Sequence, residues 1–440
     1  MTCSILSRRL FSSLLLGTLV LLVPLSVGAD ERRDSSETTV GLSADDVVVT
    51  ARSANYVRKG PGSFHEVLVA VKKDVPLAVL KRKNGWIHVR LPDDRKGWIA
   101  KTSVQSGAST EKASIEDVAG EWTTTEATES GVAAAVRGFQ MRVDGLERGS
   151  TEELLAYIKS TPTITEKDIE HFRRPLEAAR RSDLDLGDLD VELERFDPSV
   201  EEKQVGFAVA SRLMSKGTIR APRVQRYLTL MTEQLTAETP YYDVGFNVVI
   251  IEGEGPDAFA CPGGIIFLTR GVFTHFETEA QLAGLVAHEI AHVVRHHGMA
   301  EMDKREVRRK SKDAFAELER STENDDDKFE EVEDDLAKMM QKSYERVVND
   351  RLLKYEKEAD RIATALLGEA GYSPMGIVRA VERMTALRAN DPDLFDEGYL
   401  EKQNAQERLR KVQEFVDAND GTEGGKRLSR RFRAYDGEIR

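Results

Sequence analysis

The feature that most constrains this 440-residue chain is a histidine-rich stretch, "LVAHEIAHVVRHH", which runs from Leu285 to His297. On a helix, His288 and His292 lie one turn apart and only about 40° apart around the axis, so both imidazoles can reach one point. The rest of that helix surface is apolar nearly all round, which is typical of a buried helix. Buried histidines and a buried Glu289 cost free energy unless other groups satisfy them.

Two interpretations of this helix are open. The His-Glu-x-x-His order is that of a helix which presents two histidines to a zinc ion with Glu289 beside them. The alternative is a hydrogen-bonded pair of core histidines with Glu289 as their partner. Capping-box spacing at Thr278 and Gln281 predicts the start of the helix, and Gly298 predicts its end. The trailing residues 295–297 lie in the last turn, where a cation suits the helix dipole, so we place them outside the metal site.

A catalytic zinc site needs a third protein ligand. No histidine follows His297, so a later ligand should be a carboxylate. The predicted helix Leu352–Leu367 carries Glu356 and Asp360 one turn apart on its apolar face, while Glu358 points to the opposite side. Acids on a buried stripe are unusual unless paired or metal-bound. We expect Glu356 to be the third ligand and Asp360 to orient a histidine ligand through its second ring nitrogen; the alternative is a pair of salt-bridged core acids.

The N-terminus has the form of a signal peptide. A positive pair at 8–9 precedes an apolar run over 10–23, and Val27-Gly28-Ala29 offers a small-residue cleavage site. This pattern predicts export to the periplasm or the extracellular space with residues 1–29 removed. The alternative is an uncleaved segment that anchors the protein to the inner membrane, although the apolar run is short for a span.

The composition excludes two classes of protein. The chain carries 63 Lys and Arg against 76 Asp and Glu, a net charge of −13, which argues against a nucleic-acid partner bound by phosphate neutralisation. It has two cysteines, and Cys3 leaves with the predicted signal peptide, so that Cys261 is the single thiol of the mature chain. A disulfide scaffold is therefore excluded despite the predicted export.

Residues 47–106 consist of short β-type runs separated by turn residues, a pattern that predicts a small barrel. The segments "ANYVRKGPG", "KRKNGWIHVRL" and "DRKGWIA" resemble the bacterial SH3-like domain of exported, often wall-associated proteins. The resemblance implies a binding module with a cell-wall or peptide ligand, and the alternative is an inert structural barrel. Trp86 and Trp98 are either core residues, which we favour, or a binding platform.

From Pro198 onward the apolar pattern becomes regular. It predicts helices over 200–215 and 221–235 and strands over 242–252 and 264–269. We expect the last of these strands to be an edge on which an extended peptide adds by main-chain pairing. The residues predicted to contact that peptide are Gly264, Ile265 and Ile266.

Three motifs in this part of the chain, "LVAHEIAHVVRHH", "EKEADRIATALL" followed by "GYSP", and "DAFACPGGIIFLTRGVF", together resemble the CAAX-prenyl-protease type of zinc metallopeptidase, a gluzincin, in its soluble exported bacterial branch. The resemblance covers roughly Pro198 to Ala389. It implies a mostly helical zincin-like domain with a small β-sheet that binds one zinc ion. The implied roles are zinc ligand for His288, His292 and Glu356, general base for Glu289 and supporting acid for Asp360.

Two positions depart from the family pattern. Asp257 stands where the family usually has Asn, in a segment that should border the cleft, and this puts the fine positioning of substrate in doubt. Lys402-Gln403 stands where the family has His-Pro, so one cleft-side histidine is missing. Neither departure removes an implied ligand or the base.

The predicted fold is α+β: a mostly helical zincin-like metallopeptidase domain with a small β-sheet, preceded by a small all-β SH3-like barrel. Within the peptidase domain, the charged, helix-prone residues 299–350 form either a lid or a solvated helical hairpin. The predicted boundaries are a signal peptide over 1–29, a linker over 30–46, the SH3-like domain over 47–106, a linker with some helix over 107–196, the metallopeptidase domain over 197–395, and a helical, basic C-terminal tail over 396–440. We expect the last part of this tail, residues 424–440, to be mobile.

The predicted function is that of an exported zinc metalloendopeptidase. A zinc-activated water attacks the peptide bond, and Glu289 takes the proton from the water and passes it to the leaving amine. The expected substrates are proteins or peptides, with misfolded envelope proteins and envelope quality control as the implied setting. The alternative is a non-catalytic envelope scaffold or chaperone-like binder that uses its SH3-like domain.

Overall fold

The computed structural model of the protein describes residues 47–52, 55–83, 85–106, 123–124, 150–179, 193, 196–300, 338–348, 352–395, 402–419 and 424–439. The predicted signal peptide, the linker over 30–46 and most of the charged insert lie outside the described residues. Within the described part of the chain, no helix has the length and apolar character needed to cross a bilayer.

The N-terminal part is an antiparallel sheet of eight strands in the order β7-β1-β4-β5-β6-β2-β3-β8. In β5, Ile87 and Val89 are buried while Arg90 is exposed, so alternation along the strand gives the sheet one core-facing side. The prediction of a small all-β domain is confirmed. The strands are β1 Val47–Thr50, β2 Asn55–Arg58, β3 Val67–Val71, β4 Pro76–Lys83, β5 Trp86–Arg90, β6 Lys96–Ala100, β7 Val104–Ser106 and β8 Thr123–Thr124.

The remainder is mostly helical with a three-stranded sheet, as predicted. The strands are β9 Asn247–Ile251, β10 Ala258–Cys261 and β11 Ile265–Thr269. The helices are α1 Ser150–Ser160, α2 Glu166–Glu177, α3 Val200–Leu213, α4 Pro222–Thr236, α5 Arg270–His275, α6 Glu279–Val294, α7 over 338–348, α8 Leu353–Ala370, α9 Met375–Asn390, α10 Lys402–Ala418 and α11 Ser429–Asp436.

Helix α6, which carries the His-Glu-x-x-His motif, lies at the centre of this helical part. The predicted capping box is present: the Thr278 hydroxyl accepts from the Gln281 amide, and the Gln281 side chain accepts from the Thr278 amide. Helices α8 and α9 pack against α6. A Cβ at Gly284 of α6 would lie 2.7 Å from the Ile377 nitrogen of α9, so glycine is what allows these two backbones to touch.

The three-stranded sheet has the order β10-β11-β9, with β11 antiparallel to β10 and parallel to β9. The prediction that β11 is an edge strand is therefore wrong, because both of its sides are already paired. Ile265 and Ile266 are buried in the core, and Gly264 forms part of the turn that enters the strand. A substrate strand cannot pair with Gly264, Ile265 and Ile266 as predicted, because β10 and β9 already lie on the two sides of β11.

The C-terminal segment packs on the core, so the prediction that residues 424–440 form a mobile tail is wrong. Phe432 of α11 is fully buried and stacks on Phe273, and Arg431 forms an ion pair with Glu279, the first residue of α6. Because the segment has many charged residues, the narrow stripe of apolar residues on its helices was not recognised in the sequence. The described helices of the predicted linker also pack on the core: the Tyr157 hydroxyl of α1 donates to the Ile219 carbonyl at 3.1 Å.

Buried polar contacts fix the β-domain to the helical part. Asp243, in the loop before β9, forms an ion pair with Arg52 at 2.5 Å and accepts from the Thr102 hydroxyl at 3.0 Å. The neighbouring Tyr242 donates to the Gly85 carbonyl at 2.7 Å and packs edge-on against Trp86, with ring centroids 5.9 Å apart. Trp86 is thus a covered interface residue, which favours the core interpretation over a binding platform.

Candidate metal centre

Helices α6 and α8 bring His288, His292 and Glu356 together. Their donor atoms lie within 4.8 Å of one another. The two histidine Nε2 atoms are 3.0 Å apart, and each lies 3.4 Å from one oxygen of Glu356. His288 and Glu356 are almost completely buried, and His292 is the most accessible of the three. The arrangement follows from two histidines one turn apart on α6, as predicted, that face Glu356 on α8.

The donor set fits a zinc ion. Four tetrahedral ligands at about 2.0–2.1 Å from zinc lie about 3.4 Å from one another, close to the three separations in this cluster. Glu356 Oε2 forms a buried ion pair with Arg408 Nη1 at 2.6 Å, and the other oxygen, Oε1, lies 3.4 Å from His292 Nε2. Two imidazole nitrogens that face a buried carboxylate are the donor types of a catalytic zinc site.

The second ring nitrogen of His288 contacts Asp360. The Nδ1 to Oδ1 distance is 2.8 Å, and both side chains are buried. This is the contact through which a carboxylate fixes the tautomer and ring orientation of a metal-ligating histidine. Asp360 in turn accepts two hydrogen bonds from Arg408 at 2.8 Å each.

Arg408 of α10 is the residue of the centre that sequence reasoning missed. Its side chain is 2% exposed and contacts Glu356 as well as Asp360. The signal was nevertheless present, because Ala405, Arg408, Val412 and Val416 are the buried positions of α10 and form one helical stripe with a single charge in it. The same argument that singled out the acids of α8 applies to this arginine.

The charges of the cluster oppose the effect of burial. Burial alone would raise the pKa of Glu356 and of Asp360, but the Arg408 guanidinium and His288 hold both pKa values below their usual ranges. Burial and Arg408 lower the pKa of His288, yet the two carboxylates outweigh them and raise it to about 9. The carboxylates are therefore ionised at neutral pH, as metal ligands require.

The chain leaves the helix before the trailing histidines, which the sequence did not predict. Helix α6 ends at Val294, and His296 takes a left-handed conformation with φ of 55°, one that histidine adopts more readily than most residues. The prediction that Gly298 ends the helix is therefore wrong. His296 turns to Glu202 at 2.7 Å, whereas His297 Nδ1 lies 3.0 Å from His292 Nδ1. Among the described residues the candidate ligand group is His288, His292 and Glu356, so His297 lies outside it, as predicted, and contacts it through His292.

Glu289 borders a narrow cavity next to the ligand cluster. The cavity has a volume of about 30 Å³, enough for roughly one or two water molecules. Strand β10, helix α7 of the charged insert and helix α8 supply the other walls. The described end of the insert thus packs against the site and is not a solvated hairpin. The lining residues are Ala258, Ala260, Glu289, His292, His297, Gly298, Arg346, Val347, Leu352, Tyr355 and Glu356.

The strand edge next to this cavity is β10, which the sequence did not predict as a strand. The Thr269 amide donates to the Asp257 carbonyl at 3.0 Å, so the ladder with β11 continues through Phe259 and Cys261. The main-chain groups of Ala258 and Ala260 then point away from β11, to the edge of β10 that pairs with no strand among the described residues. Asp257, the first departure from the family pattern, accepts the Ala258 amide on its own Oδ1 at 2.9 Å. The side chains of Lys402 and Gln403, the second departure, lie outside the described residues.

Comparisons with known proteins agree with both resemblances. Residues 219–403 match peptidase family M48, and residues 53–105 match a bacterial SH3 domain. The chain is 31% identical over 154 residues to a putative beta-barrel assembly-enhancing protease of Vibrio cholerae, covering 35% of this chain and 31% of that protein.

Two further relatives show a similar degree of likeness. The chain is 28% identical over 144 residues to the mitochondrial metalloendopeptidase OMA1 of Arabidopsis thaliana, covering 33% of this chain and 27% of that protein. It is 30% identical over 98 residues to the beta-barrel assembly-enhancing protease of Escherichia coli, covering 22% and 20%. The matched segments thus span less than a third of each relative. They confirm the resemblances drawn from the sequence.

Proposed function

We propose that this chain, which carries a peptidase family M48 domain and a bacterial SH3 domain, is an exported zinc metalloendopeptidase. The observation that carries the proposal is the buried group of His288, His292 and Glu356, a donor set that fits zinc, with Glu289 beside it on the wall of a small cavity. Arg408 pairs with the buried carboxylates of Glu356 and Asp360, and the two imidazole nitrogens that face Glu356 complete a set of donors that a cation can bind.

The three ligands and Glu289 divide the chemistry. Held by His288, His292 and Glu356, zinc would polarise the scissile carbonyl and lower the pKa of a water molecule to about 7. Glu289 accepts a proton from the attacking water and delivers it to the nitrogen of the departing amine. Asp360 keeps the His288 ring in the tautomer whose Nε2 faces the cluster.

The substrate is an extended segment of protein that adds to the edge of β10 that pairs with no strand among the described residues. Ala260 presents its main-chain groups at that edge and lines the cavity that Glu289 borders, whereas the Ala258 amide already donates to Asp257. Main-chain pairing supplies affinity with little dependence on side chains, which suits an enzyme that acts on unfolded protein. This assignment replaces the edge that the sequence had suggested at β11.

The cellular setting that we propose is the bacterial envelope. The form of residues 1–29 supports export, and two of the relatives are described as beta-barrel assembly-enhancing proteases. Misfolded envelope proteins are the proposed substrates, and a cell-wall or peptide ligand is proposed for the SH3 domain. The named relatives are matched over a minor part of their length, so their activity comes to this chain as a proposal.

The test combines metal content with proteolysis. The natural chain and Glu289→Gln are purified, their zinc is measured, and each is incubated with an unfolded test protein. We expect about one zinc per chain in both, with cleavage lost in the variant because the base is gone. Absence of zinc, or equal cleavage by both proteins, would refute the proposal and favour a non-catalytic scaffold.

A further inference from the structure

The two histidines of the metal centre have different partners on their second ring nitrogens. His288 Nδ1 meets the carboxylate of Asp360 at 2.8 Å, whereas His292 Nδ1 meets His297 Nδ1 at 3.0 Å. The other ring nitrogen of His297 lies 3.3 Å from Glu358 Oε2. We propose that His297 and Glu358 are positioning residues, a hydrogen-bonded chain that orients His292 toward the metal as Asp360 orients His288. This inference rests on the proposed function, because it assigns a role only if the cluster binds zinc.

The hydrogen-bonding capacity of the three groups allows one consistent arrangement. If His292 uses Nε2 as a ligand, its Nδ1 carries the proton and must donate. His297 Nδ1 then has to accept, so the proton of a neutral His297 sits on Nε2 and is directed at the Glu358 carboxylate. A donor and an acceptor meet at each of the two contacts, and no nitrogen is left with the wrong role.

Packing holds the ring of His297 in place, since its side chain is only 6% exposed. The ring is held between His292, in an edge contact at 4.8 Å, and Tyr355, at 4.4 Å. A neutral ring is required of the hydrogen-bond acceptor in this chain, because a protonated imidazole has no free lone pair.

Glu358 is held from the opposite side. Arg295 Nε donates to its Oε1 at 2.6 Å, which leaves Oε2 for His297. The left-handed conformation of His296 reverses the chain directly after α6 and gives His297 its approach to His292. Arg295 and His297, which both contact Glu358, therefore come from the same short turn, and the motif "RHH" has a use that the helix pattern did not reveal.

Four variants separate hydrogen bonding from packing. His297→Phe keeps the ring and removes both nitrogens, while His297→Asn returns an acceptor near the position of Nδ1. Glu358→Gln keeps the shape of the side chain that accepts from His297 and removes its charge. His296→Asn is the matched control, since it alters the adjacent histidine, tolerates the left-handed backbone, and loses the contacts with Glu202 and with the Phe196 ring but none with His297.

The readouts are the zinc dissociation constant, from competition with a chelator, and the visible spectrum of the cobalt-substituted protein. We expect His297→Phe to weaken zinc binding 10- to 100-fold, the range typical of lost hydrogen bonds to metal ligands, and to shift the cobalt spectrum. His297→Asn should recover most of the affinity, and Glu358→Gln should show a smaller loss. His296→Asn should bind zinc as the natural chain does. Melting temperatures of the metal-free variants show that each is folded.

Each other outcome has a definite meaning. If His297→Phe binds zinc as tightly as the natural chain with the same cobalt spectrum, His297 only packs and the inference is overturned. Equal losses in His297→Phe and His297→Asn overturn the acceptor role, and full affinity in Glu358→Gln overturns the role of Glu358. A natural chain that binds no zinc overturns the proposed function, whereas the preceding outcomes leave that function intact.

Discussion

Replacement of Arg408 by methionine tests whether the metal centre is preassembled by charge. Arg408 is buried between two carboxylates: it makes a two-pronged contact with Asp360 and approaches Glu356 at 2.6 Å. Methionine fills much of the same volume without a charge. In the metal-free protein the variant leaves Glu356 and Asp360 on one buried helix face, with His288 as the one remaining cation described between them.

The size of the effect follows from the burial of the three groups. Removal of one partner from a buried ion pair costs about 3–5 kcal/mol, because the remaining charge keeps its desolvation cost. For a domain of roughly 200 residues this corresponds to a fall in melting temperature of about 10 °C or more. Zinc places a new cation next to Glu356, so we expect the fall to be smaller in the loaded protein than in the metal-free one.

The assay is thermal unfolding of the natural chain and of Arg408→Met, each with and without zinc. Arg408→Lys keeps the charge but loses the two-pronged contact, so it should be intermediate. The control is Arg410→Met on the same helix, whose pair with Glu414 is exposed and worth less than about 1 kcal/mol. If metal-free Arg408→Met melts within about 2 °C of the natural chain, the buried arginine does not hold the carboxylates and this reasoning fails.

Three further predictions concern the domain contact and the strand edge. Asp243→Ala removes the acceptor of Arg52 and should cost about 3 kcal/mol and increase limited proteolysis between the domains, whereas Asp93→Ala at an exposed pair should not. Burial raises the pKa of Glu233 to about 7 from 4.5, although the Ser63 hydroxyl donates to it. Because the folded state favours the protonated carboxyl, Glu233 makes its full contribution to the free energy of unfolding below pH 4.5. This contribution, at most about 3 kcal/mol, is lost as the pH rises to 7. Glu233→Gln should therefore raise the melting temperature at pH 8 but not at pH 4, and an equal change at both pH values would contradict the assignment. Ala260→Pro removes an amide from the free edge of β10 and should lower kcat/KM about tenfold with zinc affinity unchanged; unchanged kcat/KM would exclude this edge.

The sequence predicted those parts of the centre whose signal lies within one helix. A stripe of apolar residues on α6 and on α8 shows which side of each helix is buried, and charged or polar residues on that side stand out. His288, His292, Glu356 and Asp360 were found in this way, and the structure brings them together. The capping box at Thr278 belongs to the same class, because its geometry depends on four consecutive residues.

The parts that were missed depend on contacts between distant segments or on the end of a helix. The order of strands in the small sheet follows from how three segments pair, and no single strand shows whether it is central or at an edge. The prediction for residue 297 assumed a helix that in fact ends at Val294, so the contact of His297 with His292 was not expected. Arg408 was within reach of the stripe argument, but its helix belongs to a segment whose high charge had been taken for a tail.

Besides the contacts of Asp243 and Tyr242, the β-domain contacts helix α3, which in turn contacts the turn after α6. Lys203 of α3 lies over the ring of Tyr56 at 4.5 Å, and the preceding residue, Glu202, binds His296 at 2.7 Å. His296 is the left-handed residue that directs His297 back to His292. The zinc affinity of His296→Asn therefore also tests whether this route matters to the centre, because the variant breaks the contact with Glu202. An affinity equal to that of the natural chain would mean that the left-handed backbone of residue 296 positions His297 without help from α3 or the β-domain.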